Sequence, residues 1–218
     1  MNKYQDLKDR QRAIRETLHP SLGLRVHRSL SWLQRAEMEE ADDDAKFIFL
    51  WVAFNAAYAQ EIHDRHKFTE RKLFLIFLQK LIDLDDDKLL YKMVWSTFSS
   101  SIRVLINNQY VFEPFWAYQN GQIRDDEWQQ QFQLSKAATN RALGKMNTKK
   151  VLAIVFERLY VLRNQLVHGG ATWNSSVNRD QVRDGVNIMQ MIVPTIIHLM
   201  LESKGQLWGE ARYPVIKD

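Results

Sequence analysis

Cysteine is absent from this chain of 218 residues. That excludes disulfides and thiolate metal sites, and it fits a reducing, cytoplasmic setting. Breakers are scarce: there are 8 glycines and 4 prolines. Long stretches of Leu, Ala, Glu, Lys, Gln and Arg with so few interruptions predict an all-α chain. Long clean apolar runs are also missing. The two longest, residues 47–54 and 188–201, fall short of the roughly 18 uninterrupted apolar residues that a membrane helix needs, and Gln190, Pro194 and His198 break the second. The opening stretch MNKYQDLKDRQRAIRETL has no apolar signal core, so no membrane association is expected. No Gly-rich phosphate loop and no Gly-x-Ser-x-Gly elbow occurs, which sets aside the chemistries those motifs carry. Charge is nearly balanced, with a net charge of +4, compatible with an anionic partner but not diagnostic of one.

What is present is helical periodicity. Residues 3–18 read as a polar, basic helix that His19-Pro20 ends, because the residue before Pro avoids helical geometry. Leu22, Val26, Leu30 and Leu33 mark a second helix over 22–40. Asp42-Asp43-Asp44 reads as the cap and charged first turn of a helix over 45–62. That helix is apolar almost all round and so belongs in the middle of a bundle. His63 and His66 stand three apart beside Glu61 and Asp64, but the pattern is not His-Glu-x-x-His, and no metal site is expected. An amphipathic helix over 68–82 follows. Asp85-Asp86-Asp87 repeats the acidic start for a helix to about residue 105. Residues 109–122 hold Pro114 and read as a loop. Its Tyr110, Phe112, Phe115, Trp116 and Tyr118 are of a type that stacks on bases, and that more commonly pins a loop to a core. A Gln-rich polar helix spans 124–143. The whole reads as one domain, 1–218, with a core at about 22–82 and 148–203 and an inserted helical and aromatic elaboration at about 84–147.

Chemistry concentrates at Arg163-Asn164-Gln165-Leu166-Val167-His168-Gly169-Gly170. This stretch closes a helix for which Thr148 is a plausible N-cap. Leu152, Val155, Phe156, Leu159, Leu162 and Leu166 form one stripe at helical spacing, which faces a core. The Gly pair should end the helix near His168, where the helix dipole favours a protonated imidazole. A titratable imidazole next to a permanent guanidinium suits attack on a phosphodiester. Around the helix, Arg163 falls about 40° from the stripe centre, and Asn164 aligns with Glu157, Tyr160 and His168. Arg163 and His168 are then about 140° apart. A single active site therefore requires either unwinding at residues 167–170 or two copies of the helix meeting across a symmetric dimer. Asn178 with Gln181 resembles a capping box for a last helix over 179–203, which Pro194 should kink.

Arg163-Asn164-x-x-x-His168 matches the Arg-x(4–6)-His motif of the HEPN superfamily. The run LYVLRNQLVHGGATW resembles the Apea-like HEPN group in particular, and FLWVAFNAAY resembles that group's earlier core helix. The resemblance covers about residues 22–82 and 148–203. It implies a HEPN-type helical bundle and a homodimer whose two motifs face each other in an RNA cleft. The implied activity is a metal-independent endoribonuclease without a cofactor, cleaving by attack of the 2′-hydroxyl. His168 would be general base or acid, Arg163 would hold the phosphate, and Asn164 would orient one or the other, with Tyr160 and Glu157 supporting. Members often act as toxins or in antiviral defence, so an antitoxin or nucleotidyltransferase partner is in view. Other members lack activity. The alternative for this chain is accordingly a non-catalytic helical module that binds nucleotide, RNA or a partner protein.

Overall fold

The computed structural model describes residues 4–58, 70–203, 208–209, 211 and 213. The fold is all-α, a helical bundle with no strand among the described residues. By packing, these residues fall into two compact units. One comprises the residues up to 87 together with those from 186 onward, and the other residues 88–185.

The first unit holds α1 (Tyr4–Ile14), α2 (Pro20–Glu37), α3 (Asp43–Tyr58), α4 (Glu70–Asp83) and the later part of α10 (Arg179–Glu202). Pro20 opens α2 rather than merely closing the helix before it, since Pro is tolerated in a first turn. Asp42 caps α3 by accepting from the Ala45 amide at 3.0 Å. No residue between 42 and 58 is fully exposed, as the all-round apolar pattern of α3 requires. Ser29 donates to the Ala53 carbonyl at 2.7 Å, which joins α2 to α3. Phe54, Tyr58, Phe74, Phe77 and Trp208 form one aromatic cluster at ring separations of 5.3 to 6.4 Å. Beside it lies Arg25, 2% exposed and the largest fully buried side chain. Its guanidinium donates to the carbonyls of Ala57, Tyr58 and Trp208, so it occupies acceptors left open at the C-terminus of α3. Length and composition alone would let α10 cross a membrane, but 67% of its most apolar window is buried within the fold.

The second unit holds α5 (Leu89–Lys92), a π-helical segment Met93–Thr97, α6 (Ser99–Asn107), a 3-10 turn Gln109–Val111, α7 (Glu113–Gln119), α8 (Asp125–Gly144), α9 (Thr148–Val167) and the start of α10. Three sequence expectations are corrected here. The acidic run Asp85-Asp86-Asp87 stands before the first turn of α5 rather than in it: the chain turns at Lys88, which has a left-handed φ of 54°, and α5 begins at Leu89. The expected helix to residue 105 is interrupted at Phe98, after the π segment, where Trp95 donates to the Thr148 hydroxyl at 3.0 Å. Residues 109–122 are largely helical, because Pro114 sits in the first turn of α7, where its missing N–H costs nothing. The pinning role of the aromatics holds for Phe112 and Phe115, both 8% exposed. Phe115 packs edge-on against Trp128 at 5.2 Å, and Phe112 lies 5.1 Å from Phe132.

Candidate functional site

Two caps define α9. Its N-cap is Asn147, not Thr148: the Asn147 side chain accepts from the Lys150 amide at 3.0 Å, and Thr148 is already the first helical residue. At the other end the helix stays regular through Val167, and His168 is the cap, its amide donating to the Asn164 carbonyl at 3.0 Å. Gly169 then takes a φ of +70°, and the Ala171 amide closes onto the Gln165 carbonyl at 3.1 Å. That left-handed step favours glycine, so the Gly pair ends the helix for a physical reason.

Around α9 the side chains divide into three arcs. The stripe residues Leu152, Val155, Phe156, Leu159 and Leu162 are buried, and Leu166 is half-buried. A second arc carries Arg158 and Gln165, covered by α8 and the aromatic segment. Gln165 donates to the Tyr110 carbonyl at 2.7 Å. Arg158, 4% exposed, donates to the Ser135 hydroxyl at 3.0 Å and lies 4.3 Å from the Phe112 ring centre. Burial pushes its pKa down to about 10, and the nearby Glu157 charge works against that shift. No motif in the sequence marks Arg158 or Arg25. For Arg158 the available signal was its place at the edge of the stripe, about 90° from the centre.

The third arc is open and carries the predicted site residues. Glu157, Tyr160 and His168 are exposed, and Asn164 is half-buried. Arg163 sits between this arc and the stripe, half-buried. It donates to the Asn164 side chain at 2.9 Å, with its guanidinium carbon 6.0 Å from the Tyr160 ring centre. Its Nε is enclosed without an acceptor, and no carboxylate among the described residues pairs with it. The His168 imidazole makes no hydrogen bond to a described residue. Asn164 and Arg163 are therefore brought together, while His168 stands one helical turn further on and is not joined to either side chain. Unwinding at residues 167–170 does not return it to Arg163, because the backbone remains helical up to the cap.

No family model, curated protein or solved structure matches the chain. The arrangement itself offers a cation without a counter-ion, an amide fixing it, and an imidazole open to solvent. An anion with a transferable proton nearby is what such a set accommodates.

The remaining sequence candidates are placed as follows. His63 and His66 lie outside the described residues. Among the described residues no three His, Asp or Glu side chains converge as a metal-ligand set. The capping box is not formed: the Asn178 amide oxygen and nitrogen and the Gln181 amide oxygen are enclosed without hydrogen-bond partners, although the Asn178 backbone carbonyl accepts from Val182 at 3.0 Å.

Proposed function

We propose that the chain is a HEPN-type endoribonuclease that works without a metal as a homodimer in the cytosol. The observation that carries this reading is the unpaired Arg163 guanidinium, held by Asn164 at the same helix end as the unpartnered imidazole of His168. Arg163 neutralises the scissile phosphate and the charge that builds on it in the transition state. One imidazole takes the proton of the attacking 2′-hydroxyl, and the imidazole of the second copy protonates the departing 5′ oxygen. Bond formation to phosphorus and loss of the 5′ oxygen then leave a 2′,3′-cyclic phosphate and a 5′-hydroxyl. The second copy answers the geometry within one chain, where the two side chains do not meet. Exposed apolar residues on and after the motif helix, Tyr160, Val167, Trp173 and Val177, support a self-association surface there. A role as a toxin or in antiviral defence, with an antitoxin or nucleotidyltransferase partner, belongs to the same reading.

Purified protein should cut single-stranded RNA in the presence of EDTA. Arg163→Ala and His168→Ala should each reduce the rate by about 10²–10⁴, the usual worth of a proton-transfer group. Cleavage that EDTA stops, or that survives both substitutions, overturns the reading.

A second reading, a non-catalytic binding module, draws on the enclosed Nε of Arg163 and on the separation of Arg163 from His168 within one chain. It predicts no cleavage by the native protein and loss of folding or self-association in Arg163→Ala.

A further inference from the structure

We propose that an open groove between the 3-10 turn Gln109–Val111 and the first half of α8 holds one unpaired guanine of a single-stranded RNA. The proposal rests on reading the α9 motif as a ribonuclease site, and it gives that site a point of base recognition away from the reacting groups.

The groove encloses about 490 Å³ and is lined by Gln109, Asp126, Trp128, Gln130, Phe132 and Gln133, with Gln129 at its side. That volume lies in the range of small-molecule sites. No Lys or Arg is among the lining residues, and Arg124 beside them is paired with the Asp126 carboxylate. The lining offers aromatic surface, amides and one carboxylate, which is the chemistry that reads a splayed-out base. The Gln129 amide is committed to Asp125 at 2.9 Å. Gln109, Gln130 and Gln133 make no side-chain hydrogen bond to a described residue, so each keeps a donor and an acceptor to offer. Asp126 accepts from the solvent-exposed Arg124 at 3.1 and 3.3 Å, and each carboxylate oxygen keeps a further lone pair to offer.

Guanine matches this set on both sides. Its O6 and N7 accept from amide nitrogens, and its N1–H and N2–H donate to a carboxylate. Adenine lacks that pair of donors beside an O6 acceptor. Uracil and cytosine offer only a single ring for stacking on Trp128.

Position adds to the case. α8 and α9 run antiparallel, with Ser135 at Arg158, so residues 126–133 lie alongside the C-terminal half of α9. Gln165, which anchors the residue next to Gln109 through the Tyr110 carbonyl, lies about 60° from His168 around the helix.

The test uses the full chain carrying His168→Ala, so that binding is read without cleavage. Fluorescence anisotropy compares labelled oligouridylate with the same strand carrying one internal guanine. The guanine strand should bind at least about tenfold tighter, the discrimination of one good bidentate base contact. Gln130→Ala with Gln133→Ala, both on the exposed face of α8, should remove that advantage while leaving oligouridylate affinity and thermal unfolding unchanged. Equal affinity for the two strands, or a guanine preference that survives the double substitution, overturns the proposal. The two readings fail separately. Glutamine-dependent guanine binding by a protein that never cuts RNA keeps the groove and removes the nuclease, and cleavage without guanine preference does the reverse.

Discussion

Arg25, Arg158 and Arg163 are three arginines on helices, and their surroundings give them different work. Arg25 donates only to backbone carbonyls at the end of α3 and at Trp208. Truncating it strands those carbonyls in a dry interior. Arg25→Ala should lower stability by about 1–3 kcal/mol, the cost of leaving a buried acceptor unsatisfied. Arg25→Lys should recover little, because an ammonium lacks the fork that reaches several acceptors at once. Thermal unfolding followed by circular dichroism checks both. Asp184 makes the opposite case. Burial raises its pKa above the ordinary 3.8, Arg183 pulls it down, and Asp180 pushes it further up. A raised carboxylate binds its proton more tightly folded than unfolded, so its contribution falls as pH rises from 3.8 through the folded value. Asp184→Asn should therefore raise the unfolding midpoint at neutral pH, and the gain should vanish below the ordinary carboxylate range. A gain that persists at low pH would contradict this account.

At the scale of the element, α9 is held by its two ends. Asn147 satisfies an amide that the helix leaves open, and Asn147→Ala should cost about 1 kcal/mol. Gly169 stands at φ +70° with nothing within 4 Å of where a Cβ would lie. Gly169→Ala should then cost about 1–2 kcal/mol from backbone conformation alone, and Gly169→Asn less, because Asn tolerates the left-handed region. Urea unfolding of the three variants ranks these ends. Two helix boundaries followed from local devices in the sequence, Asp42 before α3 and the Gly pair after α9, while at the start of α9 the cap falls on Asn147, one residue before the expected Thr148. Boundaries did not follow where the device is tertiary. The π segment Met93–Thr97 is held by the bond from Trp95 to Thr148, a residue far along the chain, and no local pattern announces it.

For the whole molecule, the proposed ribonuclease reading makes self-association a condition of the chemistry, since Arg163 and His168 lie on different faces of α9 within one chain. Light scattering of the native protein should give a dimer mass. Val167→Glu, which places a charge on the exposed apolar surface beside the motif, should shift the mass toward the monomer and lower RNA cleavage in parallel. A monomeric native protein that cleaves at full rate would remove the second copy from the mechanism.

The all-α class, the core stripe of α9 and the helix end at His168 are written in the sequence, because they depend on periodicity and on residues adjacent in the chain. Which arginine is buried is not. On the wheel of α9, Arg163 lies nearer the stripe than Arg158 does, yet Arg158 is the enclosed one. The cause is the covering of its flank by α8 and the segment around Phe112, a contact between residues distant in sequence. The same covering leaves the arc of Tyr160, Asn164 and His168 open. Tertiary structure, by choosing which side of one helix to bury, decided which side remains available for chemistry.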